Sequence, residues 1–397
     1  MIDNISFKNY RIFKDNQVLE IKPITIIFGK NNTGKSAILK LPIFIESSIK
    51  SITNEVFELK CQEIELGAEM RDIIYGKASR AMEFTLTDAD NTYKLYVKFF
   101  IDSTAKEQQS KIEKWHLDFQ GTSIDITLDN DSYIEKNNII TNISFMGIKP
   151  IGNNIPNLIN QLFEKIDFNI DYIGPIRENP ARDIRISPVM NIKSGKKGEY
   201  TYQKLISSAL TIDKDLINKV SNWYFSNFDE WSITIDKTRE PVYHIEIENN
   251  SIKTNILDAG VGIVQSLPIV IRAMEKCSEQ TLIIIEEPET HLHPAAHANL
   301  GELIFSSTQN DPLKKYFIET HSLNFIMRLR RLVAEGKLNK NNVSLYYVDF
   351  EKEETASKLK KIEIKEDGSV DYWPKGVFNE ALEEAIAIRD TQLNKMK

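Results

Sequence analysis

Near the N-terminus an apolar strand runs straight into a glycine-bracketed turn and then a helix. Ile24–Phe28 is almost continuously apolar, as expected of a strand covered on both faces. Gly29-Lys30-Asn31-Asn32-Thr33-Gly34-Lys35-Ser36 follows at once and fits the pattern G-x-x-x-x-G-K-[ST], with Ala37 continuing into the helix. A loop of this kind must be held by a buried strand on one side and a helix on the other, so the expected fold class is α/β with a P-loop core. Backbone N–H groups of the loop and the helix start would face phosphates. Gly34 would admit close approach of the backbone, Lys35 would reach the β- and γ-phosphates, and Ser36 would offer its hydroxyl to Mg²⁺. Residues 29–37 are the expected nucleotide-binding set.

A second apolar run, Thr281–Ile285, ends in Glu286 and Glu287. We read it as the strand beside the phosphate loop, which must deliver one carboxylate to the metal shell and another to the attacking water. Adjacent residues at a strand tip divide those tasks, Glu286 serving the metal and Glu287 the water. Pro288 ends the strand. Further on, Phe317-Ile318-Glu319-Thr320-His321-Ser322 reads as a strand ending in a histidine. The imidazole of His321 would hydrogen-bond the γ-phosphate or the attacking water. The expected catalytic set is therefore Lys35, Glu287 and His321, with Ser36 and Glu286 on the metal. Thr290–His297 gathers His291, His293 and His297, three of the six histidines. A zinc site is one reading of that cluster. A loop at the nucleotide edge and dimer interface is the preferred one.

Composition limits the remaining choices. The 397 residues exceed one ordinary domain, and 41% hydrophobic with 27% charged is globular. A net charge of −7 argues against a general nucleic-acid coat, while leaving room for a local basic patch. Cys61 and Cys277, the two cysteines, form neither a metal spacing nor a disulfide framework. The start MIDNISFKNYRIF lacks the pattern of a signal peptide. Every apolar run falls far short of the roughly 20 residues that span a bilayer. A cytoplasmic protein is expected.

The organisation reads as an ATPase lobe over 1–75, an inserted β-rich and helical region over 76–250, and a second ATPase lobe over 251–397. Strands are expected at Ile2–Phe7, Gln17–Ile21, Met82–Leu86, Tyr93–Ile101, Trp115–Phe119, Ile124–Leu128, Val242–Ile247, Val343–Phe350 and Leu359–Ile364. Helices are expected from Lys35 with a kink or end at Pro42, and over Ile155–Ile166, Leu205–Phe225, Val261–Lys276, Ser322–Glu335 and Phe378–Met396. Arg177–Lys204 reads as a long mobile loop. Its Arg177, Arg182, Arg185, Lys193, Lys196, Lys197 and Lys204 suggest either a DNA or partner patch or simply a solvated surface. No heptad run is sustained, so long coiled-coil arms are not expected.

Taken in order, these motifs resemble the ABC/SMC-like ATPases, and more closely an AAA group related to the OLD (overcoming lysogenization defect) ATPases. GKNNTGKS is similar to their Walker A, LIIIEEPETHLHP to their Walker B with its extension, and ETHS to their switch histidine. Asp258-Ala259-Gly260-Val261-Gly262-Ile263-Val264-Gln265 looks like the group's degenerate ABC signature, Tyr172–Arg177 resembles a recurring segment of the group, and the tail Asp371–Phe378 resembles a C-terminal domain of unknown function found on some members. The likeness covers roughly residues 1–45 and 255–397. It implies an ABC-type P-loop fold, ATP with Mg²⁺, and a head-to-tail homodimer or higher homo-oligomer. In that arrangement Asp258, Gly260 and Gly262 would meet a nucleotide held by the partner's phosphate loop. Glu286 stands where the wider ABC family usually has Asp, and the signature lacks the usual Ser. No glutamate followed by an Asp-x-Asp strand end follows His321, so a Toprim nuclease is not expected. The resemblance implies an ATPase controlling a separate effector in bacterial anti-phage defence. The alternatives are a RecF-like DNA repair or recombination ATPase and a nucleotide-gated scaffold with little turnover.

Overall fold

The computed structural model describes residues 2–102, 108–136, 140–166, 168–212, 214–378 and 380–395. A six-stranded sheet organises the molecule. Its order is Ile170–Ile173, Thr281–Glu286, Lys314–Glu319, Ile24–Gly29, Val343–Glu351 and Ala356–Ile362. The first five strands are parallel, and the last returns antiparallel to its neighbour. The strands Ile24–Gly29 and Thr281–Glu286 are buried at every position, as continuous apolar runs require. Side chains alternate between two cores. Ile27, Leu282, Ile284 and Phe317 face one; Ile26, Phe28, Ile283, Ile285 and Ile318 face the other.

The first core is shared with a nine-stranded antiparallel sheet. That sheet takes Asn4–Lys8 and Gln17–Glu20 from the start of the chain and seven strands between Met82 and Asn153. Asn4–Lys8 pairs directly with Met82–Thr87, so one sheet crosses the division expected near residue 75. Phe44, on the helix Leu41–Lys50, packs against Phe57, Phe84 and Phe99 and joins the two sheets. The second core holds the helices Thr201–Leu210, Asp215–Asn227, Val261–Met274, Pro294–Asn310 and Leu323–Ala334, with a three-stranded sheet from Ser232 to Asn255.

The helix from Lys35 ends at Leu39, next to the break expected at Pro42, and Pro42 itself sits in the first turn of a second helix, Leu41–Lys50. Several expectations need correction. The expected Leu205–Phe225 helix is two helices, and the first begins inside the expected loop, at Thr201. The rest of that loop is tied down: Gly174 and Glu178 donate to the carbonyls of Lys196 and Lys197, and Ile184 bridges Tyr243. Pro294–Asn310 is helical, with His293 as its N-cap, although the histidine-bearing segment reads as a loop. The last helix is Glu380–Lys395, and Met396 lies outside the described residues. No helix among the described residues is long and apolar enough to cross a membrane.

Candidate active site

In open α/β sheets ligands gather at the carboxyl ends of parallel strands. Here that edge carries Gly29, Glu286 and Glu319 on neighbouring strands, with Ile27 opposite Glu319 and Glu319 opposite Glu286. The loop after Gly29 turns through Asn32, at φ 62°, and Gly34, at φ 99°, before the helix Lys35–Leu39. A side chain at Gly34 would strain that backbone, and its Cβ would lie 2.6 Å from Ile12 Cγ2. The Thr33 hydroxyl donates to the Lys30 carbonyl at 2.9 Å, and Ser357 donates to the Thr33 carbonyl at 2.6 Å, so the loop is braced from inside and outside. Lys30, Asn31 and Asn32 are exposed. The Lys35 ammonium lies back over the loop, 2.9 Å from the Lys30 carbonyl. Behind the loop strand, Phe28 stacks on Trp373 and Phe378 of the tail, at 5.3 and 5.7 Å.

The strand beside the phosphate loop is Lys314–Glu319, not Thr281–Glu286, which lies one strand further out. The carboxylate that reaches the loop is accordingly Glu319. It accepts from the Ser36 hydroxyl at 3.0 Å and sits 3.7 Å from Lys35 Nζ. The sequence reading passed over Glu319; its signal was an apolar run ending in a carboxylate just ahead of Thr320 and His321. Glu286 is also buried, and its carboxylate accepts from the Tyr172 hydroxyl at 2.5 Å. Glu287 turns off the strand end at φ 47°. One of its carboxylate oxygens accepts from Thr290 Oγ1 at 3.1 Å and the other lies 4.0 Å from His321 Nε2. Ligand atoms of Glu287, Glu319 and His321 fall within 4.8 Å of one another.

Burial sets the electrostatics. It pushes Glu319 up to about 7, helped by the Glu286 charge and opposed by Lys35. Burial also lowers Lys35, against the pull of Glu319 and Glu287. His321 is lowered by burial and then by Lys35, which favours the neutral imidazole at neutral pH. The site is therefore a compact oxygen-rich cluster around Lys35, with His321, whose neutral form burial favours, at its rim.

The signature-like segment leads into the helix Val261–Met274, with Gly260 as its N-cap. Asp258, Gly260 and Val261 are exposed, and a Cβ at Gly260 would meet nothing within 4 Å. Gly262 answers to packing: its Cβ would lie 2.7 Å from the His291 carbonyl oxygen. Of the three clustered histidines, His293 caps the helix Pro294–Asn310. His297 spends Nδ1 on Ser322 at 2.8 Å and Nε2 on the Leu292 carbonyl at 3.1 Å. Both therefore hold the turn together, and among the described residues the one candidate metal group is Glu287, Glu319 and His321. The basic run is dispersed too. Arg177 is buried against the strand end of Glu286 and Glu287; Arg182 pairs with Asp258; Lys204 is buried against Glu275.

Comparison with known proteins identifies the family. The family described as AAA ATPase domain matches residues 1–326, which is most of the chain. The chain belongs to the AAA ATPase domain family. A second family, a protein of unknown function (DUF3696), matches residues 338–386, the segment that packs Trp373 and Phe378 on Phe28. A protein of Helicobacter pylori described as an ATP/GTP phosphatase is 23% identical over 345 residues, 84% of this chain and 89% of that protein. Solved structures similar to this chain include the SMC head domain from Thermotoga maritima, at 10% identity and TM-score 0.45, covering 91% of this chain and 99% of that one. An Smc head domain derived from Pyrococcus furiosus, bound to the C-terminal domain of ScpA, has 11% identity and TM-score 0.43, with coverage of 98% and 99%. The protein is thus a P-loop ATP hydrolase on an α/β fold, and this AAA ATPase domain places its phosphate loop beside Glu319.

Proposed function

We propose that this ATPase closes as a homodimer around ATP and uses the cycle to control a separate effector protein. The observation that carries the reading is the division of the chain into two half-sites. Lys35, Ser36, Glu287, Glu319 and His321 converge at one strand edge. Asp258 and Gly260 instead stand exposed at the start of a long helix, with nothing against Gly260. A partner's phosphate loop would bring its nucleotide to those exposed amides.

Within one half-site the roles follow from the chemistry. Lys35 would neutralise the β- and γ-phosphates, Glu287 would take the proton of the attacking water, and neutral His321 would hydrogen-bond the γ-phosphate. Ser36 and Glu286 would hold Mg²⁺, and Glu319, already on the Ser36 hydroxyl, would add a third oxygen ligand. That all-oxygen donor set suits Mg²⁺. When bound, the ion would spread the charge of the transferring phosphoryl group. Control of an effector, a cytoplasmic setting, and service in bacterial anti-phage defence like that of the OLD relatives, complete the reading. Light scattering on the Glu287→Gln protein with ATP tests it: a dimer is expected, and a persistent monomer refutes the composite site. The DNA-repair alternative has lost Arg177 and Lys204 to buried contacts; Arg182, Arg185, Lys196 and Lys197 stay exposed, Arg182 paired with Asp258 and Lys197 with Glu178. DNA-stimulated, salt-sensitive turnover would restore it.

A further inference from the structure

The segment Tyr172–Arg182 touches both half-sites of its own chain. Its Tyr172 hydroxyl donates to the Glu286 carboxylate. Arg177, 3% exposed, donates through Nη2 to the carbonyls of Glu286 at 2.6 Å and Glu287 at 2.8 Å. Those carbonyls lie where the strand has run out of ladder partners, so the guanidinium supplies bonds that the sheet no longer can. From the other side, Gln265 donates to the Arg177 carbonyl and to Asn179 Oδ1, both at 3.1 Å. Arg182 then forms a two-pronged pair with Asp258, at 2.9 and 2.7 Å. Gln265 and Asp258 are the two ends of the signature-like segment.

Glu287 needs such support. Its φ of 47° places a non-glycine residue in the left-handed region, immediately before Pro288. That conformation costs on the order of 1–2 kcal/mol and persists only where the surroundings over-determine it. The Glu287 amide donates to the Glu319 carbonyl at 2.8 Å, and its carbonyl accepts from Arg177 and from the Thr290 amide at 3.2 Å. The turn that aims Glu287 at His321 is therefore fixed on one side by the adjacent strand and on the other by Arg177. Arg177 Nε and Nη1 have no hydrogen-bond partner among the described residues, and burial lowers the guanidinium to about 10 against the pull of Glu289, Glu287 and Glu286.

We infer that Arg177 is a positioning residue for Glu287, and that through Gln265 and Arg182 it ties the catalytic carboxylate to the signature-like segment of the same chain. Seating of that segment on a partner's nucleotide and the aim of Glu287 are then set together. The inference rests on the proposed roles of Glu287 as general base and of Asp258–Gln265 as the surface facing a second copy.

Arg182→Ala, Gln265→Leu and Arg177→Lys, each against wild type and Glu287→Gln, provide the test. The measurements are kcat and KM for ATP, ATP affinity and melting temperature. Arg182–Asp258 is an exposed pair, so its loss should leave stability and ATP affinity unchanged. Turnover should nevertheless fall several-fold in Arg182→Ala. Gln265→Leu and Arg177→Lys should lower kcat by about 10²-fold at a KM within two-fold of wild type, because small misplacement of a catalytic group is costly. Combining these two should cost little more than either alone. A merely structural role would lower melting temperature, affinity and kcat together, with additive losses, and would overturn the inference. So would wild-type turnover in Arg182→Ala and Gln265→Leu while Glu287→Gln is inactive. Normal hydrolysis by Glu287→Gln would instead overturn the assignment of the base itself.

Discussion

Replacing Glu319 by glutamine should stabilise the nucleotide-free protein above pH 7 and progressively less below it. Glu319 is 4% exposed, buried between Lys35 and Glu286, and its carboxyl is pushed up from 4.5 to about 7. The sign follows from linkage. A group whose folded-state value is raised contributes stability below its unfolded value, here about 4.5, and that contribution is lost as pH rises through about 7. The full difference amounts to about 3 kcal/mol, and the attraction of Lys35 is already contained in it. Glutamine matches the protonated acid in shape and charge, and its amide oxygen keeps an acceptor for the Ser36 hydroxyl. With about 2.1 cal/mol/K of unfolding entropy per residue, the gain should raise Tm by about 4 °C at pH 8.5. At pH 5.5 about 1 kcal/mol, or under about 2 °C, should remain. Differential scanning calorimetry of both proteins in EDTA, without nucleotide, reads this directly. An equal gap at the two pH values, or a less stable variant at pH 8.5, would refute the burial argument. Mg²⁺ with ATP should reverse the preference, since a cation beside Ser36 favours the carboxylate.

Lys35→Ala should abolish ATP binding or turnover, because the phosphates lose the Lys35 ammonium; unchanged hydrolysis in a phosphate-release assay would dismiss the site. Glu287→Gln should slow hydrolysis by roughly 10²–10⁴-fold while retaining bound ATP, measured by single-turnover kinetics and nucleotide retention on a desalting column. Gly262→Ala should cost about 1–3 kcal/mol by overpacking, since its Cβ would meet the His291 carbonyl oxygen at 2.7 Å. Thermal melts would show that loss, and an unchanged Tm would mean that the signature-like helix does not rest on the histidine turn.

Much of the site was legible in the chain because its chemistry is local. The phosphate loop is a contiguous octapeptide between a strand and a helix, and the acidic pair ends a run that is apolar throughout. His321 likewise follows a buried strand. Glu319 was not legible as a loop-facing residue, since nothing in the order of motifs says which strand lies beside Ile24–Gly29. Arg177 was misread for a related reason. Composition counts its charge in a polar loop, whereas its place under the Glu286–Glu287 turn arises from contacts between residues more than a hundred positions apart. For the histidine cluster the zinc alternative could be weighed only in the structure, where His297 meets Ser322 and the Leu292 carbonyl, so both ring nitrogens are engaged.

The sequence by itself determined the fold class, the phosphate loop and the identities of Lys35, Ser36, Glu287 and His321 as candidates, because periodicity and short motifs encode local backbone and its nearest chemistry. Only the tertiary structure decided that Lys314–Glu319 is the inner strand, that Glu319 meets Ser36, and that Arg177 braces Glu287. Strand order and long-range hydrogen bonds depend on how two cores close around one sheet, and that closure is a property of the whole chain.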